Sequence, residues 1–170
     1  MDAINKRRSI RKFKGQAVEQ TKIEKLLRAA MQAPSAGNQQ PWEFIVVQDK
    51  ESLKTLSLTS QYSKLVADAP LAFVLLANEK RMRFPQNWQQ DLSAAAQNVL
   101  LEAVDLGLGA VWIGVAPDEG RMSYVAKAFN LPDHVKAFCL IAIGYPAEGQ
   151  ENVFVDRFDA SKVHYERYKQ

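Results

Sequence analysis

The sequence predicts a single domain of mixed α and β structure, and three observations carry that reading. Helical stripes alternate with short apolar runs along the chain, the pattern of helices and strands sharing one core. The 170 residues suit one compact domain, and 47% of them are hydrophobic, enough for a sizeable core. No repeat, low-complexity segment or linker divides residues 1–170.

The elements follow in order. Asp2 can cap a short helix from residue 3 to about 7, and residues 9–13 read as extended. Thr21-Lys22-Ile23-Glu24 has capping-box spacing, and Ile23, Leu26, Leu27, Ala30 and Met31 then form one apolar stripe that Pro34 stops. Residues 44–47 form a short β-rich run. Residues 49 to about 57 look helical, with Leu53 and Leu56 inward, and residues 71–77 are a second strand. The clearest helix runs from about 88 to 106, with Leu92, Ala95, Ala96, Val99, Leu100, Ala103 and Val104 on one face and Gly107 as its stop. So much alanine implies close packing, in a central core helix or at a subunit interface. Residues 110–115 are a third strand, Asp118 caps a helix ending near Asn130, and residues 136–144 are a fourth strand. Beyond Pro146 the chain is mostly polar, yet Val153, Phe154, Val155, Phe158, Val163, Tyr165 and Tyr168 are scattered through it. That stretch cannot build its own core, and a disordered tail rarely carries so many aromatics. Residues 147–170 therefore read as an arm laid over the domain or over a partner subunit.

Composition narrows the function classes. The longest apolar runs are too short to cross a bilayer, and no apolar stretch follows the basic start as a secretory signal requires. A cytoplasmic location without membrane partners is expected. Cys139 is the single cysteine, sits in an apolar run, and reads as a small buried hydrophobe. His134 and His164 lie too far apart for a zinc pair, so no metal site is expected. The net charge is only +3, but Lys6, Arg7, Arg8, Arg11, Lys12 and Lys14 crowd the first fifteen residues. Such a cluster is a solvated face or an anion site; no recognised nucleic-acid module accompanies it.

Three segments have compositions suited to a site. In Arg7-Arg8-Ser9-Ile10-Arg11-Lys12-Phe13, guanidinium forks and a hydroxyl suit a phosphate, and extended alternation would put Arg7, Ser9 and Arg11 on one side. A solvated basic edge fits the cluster equally well. In the segment 33–42, Ser35, Asn38 and Gln40 offer hydroxyl and amide groups to the edge of a heteroaromatic ring, and Trp42 reads as a core anchor. A plain loop rich in turn residues is the alternative. In the segment 106–114, glycines join a helix to a strand, the reverse of a dinucleotide fingerprint. Gly114 closes that strand, where a flat ligand can approach the backbone, or where the chain simply turns. No triad, metal cluster or carboxylate pair appears among these segments, so a bound cofactor would carry any chemistry.

Together the segments resemble the nitroreductase family of FMN-dependent oxidoreductases, nearly end to end. Arg-Arg-Ser-x-Arg stands near the start, Ala-Pro-Ser-x-x-Asn-x-Gln-Pro-Trp after the first long helix, Gly-Leu-Gly-x-x-Trp-Ile-Gly after the central helix, and Arg157-Phe158-Asp159 in the arm. The resemblance implies an α+β fold, a central mixed sheet surrounded by helices, and an intertwined homodimer with FMN at its interface. It places Arg7, Arg8, Ser9 and Arg157 near the FMN phosphate, and Arg11 near N1 and the C2 carbonyl. Pro34, Ser35, Asn38 and Gln40 fall in the loop given by the partner subunit. Ile113 and Gly114 fall at the strand end under the ring, where a backbone N–H meets N5, and Gln61 matches loosely near the flavin. The implied activity is hydride transfer from NADH or NADPH to a nitroaromatic, a quinone or a similar acceptor, by a ping-pong cycle with no catalytic side chain required. A specialised flavin enzyme, for reductive dehalogenation or flavin fragmentation, is the alternative on the same fold. A basic, non-enzymatic binding module is the alternative from another class. The stretch between Leu71 and Leu92 is shorter than in larger relatives, leaving Arg81, Arg83, Phe84 and Trp88 as either pocket-shaping or surface residues.

Overall fold

The structure is a computed structural model that describes residues 2–168. Its strands are β1 (Trp42–Val47), β2 (Leu71–Asn78), β3 (Gly109–Gly114) and β4 (Val135–Gly144), ordered β1-β2-β4-β3. Helices α2 (Gln20–Met31) and α4 (Trp88–Asp105) cover one face; α3 (Lys50–Ser57) and α5 (Glu119–Ala128) cover the other. With both faces covered, β2 and β4 are buried along almost their whole length, which is why they read as unbroken apolar runs. The four strands pair antiparallel throughout. The expected mixed character reduces to one parallel bridge among the described residues, between Ser9 and Ala110.

That bridge belongs to the N-terminal segment, which leaves α1 (Asp2–Lys6) and runs along the free edge of β3. Ile10 N–H donates to Ala110 O at 3.1 Å, and Lys14 N–H donates to Tyr145 O at 2.8 Å. Gly109 permits the approach, since a Cβ there would stand 2.6 Å from Ile10.

The alanine-rich helix α4 is a core helix of the chain. Ala95, Ala96 and Ala103 are fully buried within this chain, against α2 and the sheet, so the stripe needs no second subunit to cover it. The capping box at Thr21 does not form. Helix α2 starts one residue before it, with Glu19 as N-cap; the Glu19 carbonyl accepts from Lys22 and Ile23, its carboxylate accepts from Tyr145, and Glu24 pairs with Arg28. Residues 147–168 run over the surface with one short turn at Ala160–Lys162. Residues 1, 169 and 170, including the last two of the expected arm, lie outside the described residues.

Candidate functional site

Two hollows open along the β3 edge. The first, about 280 Å³, lies between Arg7 and Arg8 and the arm residues 154–158, Arg157 among them. None of these three arginines forms an ion pair among the described residues. Burial, then the neighbouring charges of Arg8 and Arg157, lowers the Arg7 guanidinium below its ordinary pKa. Arg8 donates through Nη1 to Arg7 O and through Nη2 to Asn5 O, while its Nε is buried without a partner. The arm is pinned here by Asn152, whose Oδ1 accepts from Arg8 N–H at 3.1 Å and whose Nδ2 donates to Leu108 O at 3.0 Å. Arg7 and Arg8 thus face one hollow, where strict alternation would separate them. The reason is that Arg7 N–H still donates to Ala3 O, so the extended phase begins only after Arg8. Ser9, half-buried, follows at the bridge to Ala110.

The second hollow, about 420 Å³, is lined by Arg11, Tyr62, Leu65, Trp112, Ile113, Gly114 and Arg121, with Val111 at its floor. Ladder geometry sets what the strand offers it. Ala110 O accepts from Ile10 on the outer side, so the peptide groups of Trp112 and Gly114, in the same phase, also turn away from β4. Arg121 Nη1 reaches the Gly114 carbonyl at 3.2 Å from that side. Gly114 therefore points its N–H into the hollow, whereas Ile113, in the opposite phase, faces β4 and buries its side chain. A Cβ on Gly114 would meet nothing within 4 Å. Gln61 is exposed beside Tyr62 and does not line the hollow.

The 34–40 loop lies elsewhere. Phe44, Leu75, Cys139 and Gly114 stand in one row across the sheet, so the β1 edge is three strand spacings, about 14 Å, from Gly114. The loop leads into β1, and within one chain the fold does not bring Pro34, Ser35, Asn38 or Gln40 to Arg7, Arg11 or Gly114. It is a tight structure: Gly37, Asn38 and Gln40 all have positive φ. Ser35 Oγ accepts from Gln40 N–H at 3.0 Å, and Gln40 Nε2 donates to Asn38 Oδ1 at 3.0 Å. Buried Asp91 and Gln39 hold it from behind. The segment 81–88 braces the same loop: Arg83 donates to Gly37 O, Phe84 bonds Gln39, and Trp88 packs edge-on to Phe138.

Arg121, Tyr62, Asp91, Gln39 and Asn152 escaped the sequence reading. A signal existed for Asp91. It stands four residues before Ala95 in the apolar stripe, and a carboxylate in line with a buried face demands partners. Arg121 carried none, because its place at the hollow depends on the turn between β3 and α5. Cys139 is buried in β4, and burial pushes its thiol pKa well up, as suits an inert core residue. Among the described residues no three His, Cys, Asp or Glu side chains group as a metal site.

A helix-covered sheet with three arginines at one hollow and an outward N–H at another along the same edge defines an α+β domain with an open, basic strand edge. The chain belongs to the nitroreductase family, whose profile matches residues 4–71 and 57–145. It is 42% identical over 168 residues to a Methanothermobacter thermautotrophicus protein provisionally named NADH dehydrogenase/NAD(P)H nitroreductase, covering 99% of this chain and 87% of that one. A solved structure from Clostridium acetobutylicum, provisionally an NADH oxidase, is 57% identical with a TM-score of 0.96, covering 98% and 99% of the two chains. The FMN-dependent nitroreductase of Clostridium difficile R20291 is 35% identical with a TM-score of 0.89, at 98% and 99% coverage.

Proposed function

We propose that the protein is an FMN-dependent oxidoreductase that takes electrons from NADH or NADPH and passes them to a small aromatic or quinone-like acceptor, as a homodimer. The observation that carries this reading is the layout of the β3 edge. Three arginines without carboxylate partners, one with a buried unpartnered Nε, stand at one end; the outward N–H of Gly114 stands at the other. Four residue steps of strand, about 13 Å, run from Ala110 to Gly114 alongside the N-terminal segment. A terminal phosphate joined by a ribityl chain to a flat ring fits that order of groups. The family relationship and the FMN-dependent relative support the same ligand.

Arg7, Arg8, Ser9 and Arg157 would hold the phosphate, because an anion there offsets the burial and, after it, the neighbouring charges that lower Arg7. Arg11 would sit by N1 and the C2 carbonyl, where a cation favours the reduced, more negative state of the ring. Gly114 N–H would meet N5, with Ile113 fixing the strand beneath and Gln61 near the ring edge. Pro34, Ser35, Asn38 and Gln40 would reach the ring from the partner subunit, since their own edge is too distant. Bound there, FMN supplies hydride transfer, so no side chain need act as acid or base. Donor and acceptor would stack in turn on the one open face of the bound ring, which would make the kinetics ping-pong.

The test is titration of apoprotein with FMN, followed by initial rates with NADH and NADPH against a quinone and a nitroaromatic. Stoichiometric flavin and parallel double-reciprocal lines are expected. Protein that takes up no FMN at micromolar concentration would sink the reading.

A further inference from the structure

We propose that Asp91 and Gln39 are a positioning pair that locks the 35–40 loop and the segment 83–88 into one unit, in the conformation the flavin site uses. The proposal rests on the reading of that loop as part of the FMN site. Asp91 is 4% exposed and lies in the first turn of α4, where the helix dipole favours a carboxylate. Both its oxygens are used: Oδ1 accepts from Ala36 N–H at 2.9 Å and Oδ2 from Gln39 Nε2 at 2.6 Å. Gln39 is 8% exposed and turns to Phe84, where Oε1 accepts from Phe84 N–H at 2.9 Å and Nε2 also reaches Phe84 O at 3.2 Å. One carboxylate thus anchors the loop directly through Ala36 and the neighbouring segment through Gln39.

The loop needs such an anchor. Asn38 and Gln40 hold φ values of 54° and 47°, a region costly for residues with a Cβ, and such conformations persist only where the surroundings over-determine them. On the reading above, these two residues, with Ser35, are the polar groups the loop would present to the flavin. Asp91 is buried behind the loop and acts through the backbone that presents them.

In Asp91→Asn, one of the two donors, Ala36 N–H or Gln39 Nε2, meets the new amide NH₂ and loses its acceptor. In the reciprocal pair Asp91→Asn with Gln39→Glu, donor and acceptor are exchanged. The amide oxygen introduced at position 91 can accept from Ala36 N–H, and the amide nitrogen there can donate across the pair. The carboxylate introduced at position 39 then accepts from that nitrogen and from Phe84 N–H, and only the longer 3.2 Å contact to Phe84 O is lost. The single variant, folded by circular dichroism, should bind FMN about tenfold more weakly and show a raised KM for a nitroaromatic. The reciprocal variant should recover most of both, which a general loss of packing would not do. FMN affinity within twofold of wild type in folded Asp91→Asn overturns the proposal, as does a folded reciprocal variant without recovery. If Asp91→Asn does not fold, recovery in the reciprocal variant decides; if neither folds, amide exchange of wild-type apoprotein decides. Protected Ala36 and Phe84 amides support the latch, and exchange at free-loop rates overturns it. Failure of wild-type protein to bind FMN would instead remove the functional reading itself.

Discussion

Arginines placed side by side oppose one another's charge, and Arg7, Arg8 and Arg157 share one hollow with a single carboxylate, Asp156, that pairs with none of them. Arg7 shows the strain directly, held below its ordinary pKa by burial and by Arg8 and Arg157. Charge-assisted hydrogen bonds are worth roughly 1.5–3 kcal/mol each. Arg7→Ala and Arg157→Ala should therefore each weaken FMN about tenfold or more, read by flavin fluorescence on titration; unchanged affinity in both would remove these residues from the site. Two glycines of β3 give a contrasting pair. A methyl on Gly109 runs into Ile10, so Gly109→Ala should destabilise the protein by roughly 1–3 kcal/mol, the usual range for overpacking. A methyl on Gly114 meets nothing inside the protomer, so Gly114→Ala should leave the apoprotein's thermal midpoint unchanged and weaken FMN. Equal destabilisation of both variants in a denaturant series would show that the space before Gly114 is already filled by protein.

At the level of elements, hydrophobic periodicity carried most of what could be read in advance. The strands β2 and β4 and the helices α3 and α4 appear where their apolar patterns put them, because burial on one stripe or on both faces leaves a strong imprint. Local capping was legible where a short side chain does the work: Asp118 Oδ1 accepts from Arg121 N–H at 3.0 Å, starting α5. Capping failed at Thr21, where the helix starts one residue earlier, with Glu19 as N-cap and its carboxylate held by Tyr145, a contact 126 residues away in sequence. Motif order singled out Arg7, Arg8, Arg11, Gly114 and Arg157, which the fold sets along the β3 edge, but the Asp91–Gln39 latch and Arg121 depend on contacts 45 or more residues apart or on turn geometry that no local pattern encodes. Asp118 links structure to site, since it caps α5 and also pairs at 3.3 Å with Arg121 Nε, the side chain that grips Gly114 O. Asp118→Ala should cost about 1 kcal/mol, the usual worth of an N-cap, measured by urea denaturation. A loss under a few tenths of a kcal/mol would mean that α5 is set by packing alone.

On the scale of the whole molecule, one chain has two parts that do not complete themselves. The first is the proposed flavin site: the β3 edge bears the cations and the open N–H, while the 34–40 loop lies at the opposite edge of the same sheet. The second is the arm, tethered through Gln150 and Asn152 to the backbone of Arg11 and Arg8 but carrying its apolar side chains outward. Phe154, Phe158, Tyr165 and Tyr168 are 62–79% exposed, and four such rings could bury about 600–1,000 Å² on a partner. A two-fold dimer answers both needs at once, bringing each loop to the other subunit's edge and each arm to the other subunit's surface. Such an interface should exceed roughly 2,000 Å², the obligate class, so folded, flavin-loaded monomers should not persist on dilution. Ending the chain after Pro146 removes Arg157, both tethers and the aromatic surface together, and should abolish dimerisation and FMN retention in the same step. Light scattering and flavin absorbance on holoprotein at low micromolar concentration, before and after truncation, measure both. A monomeric truncated form that keeps FMN and oxidises NAD(P)H would assign the whole site to one chain and leave the arm's exposed rings to some other partner.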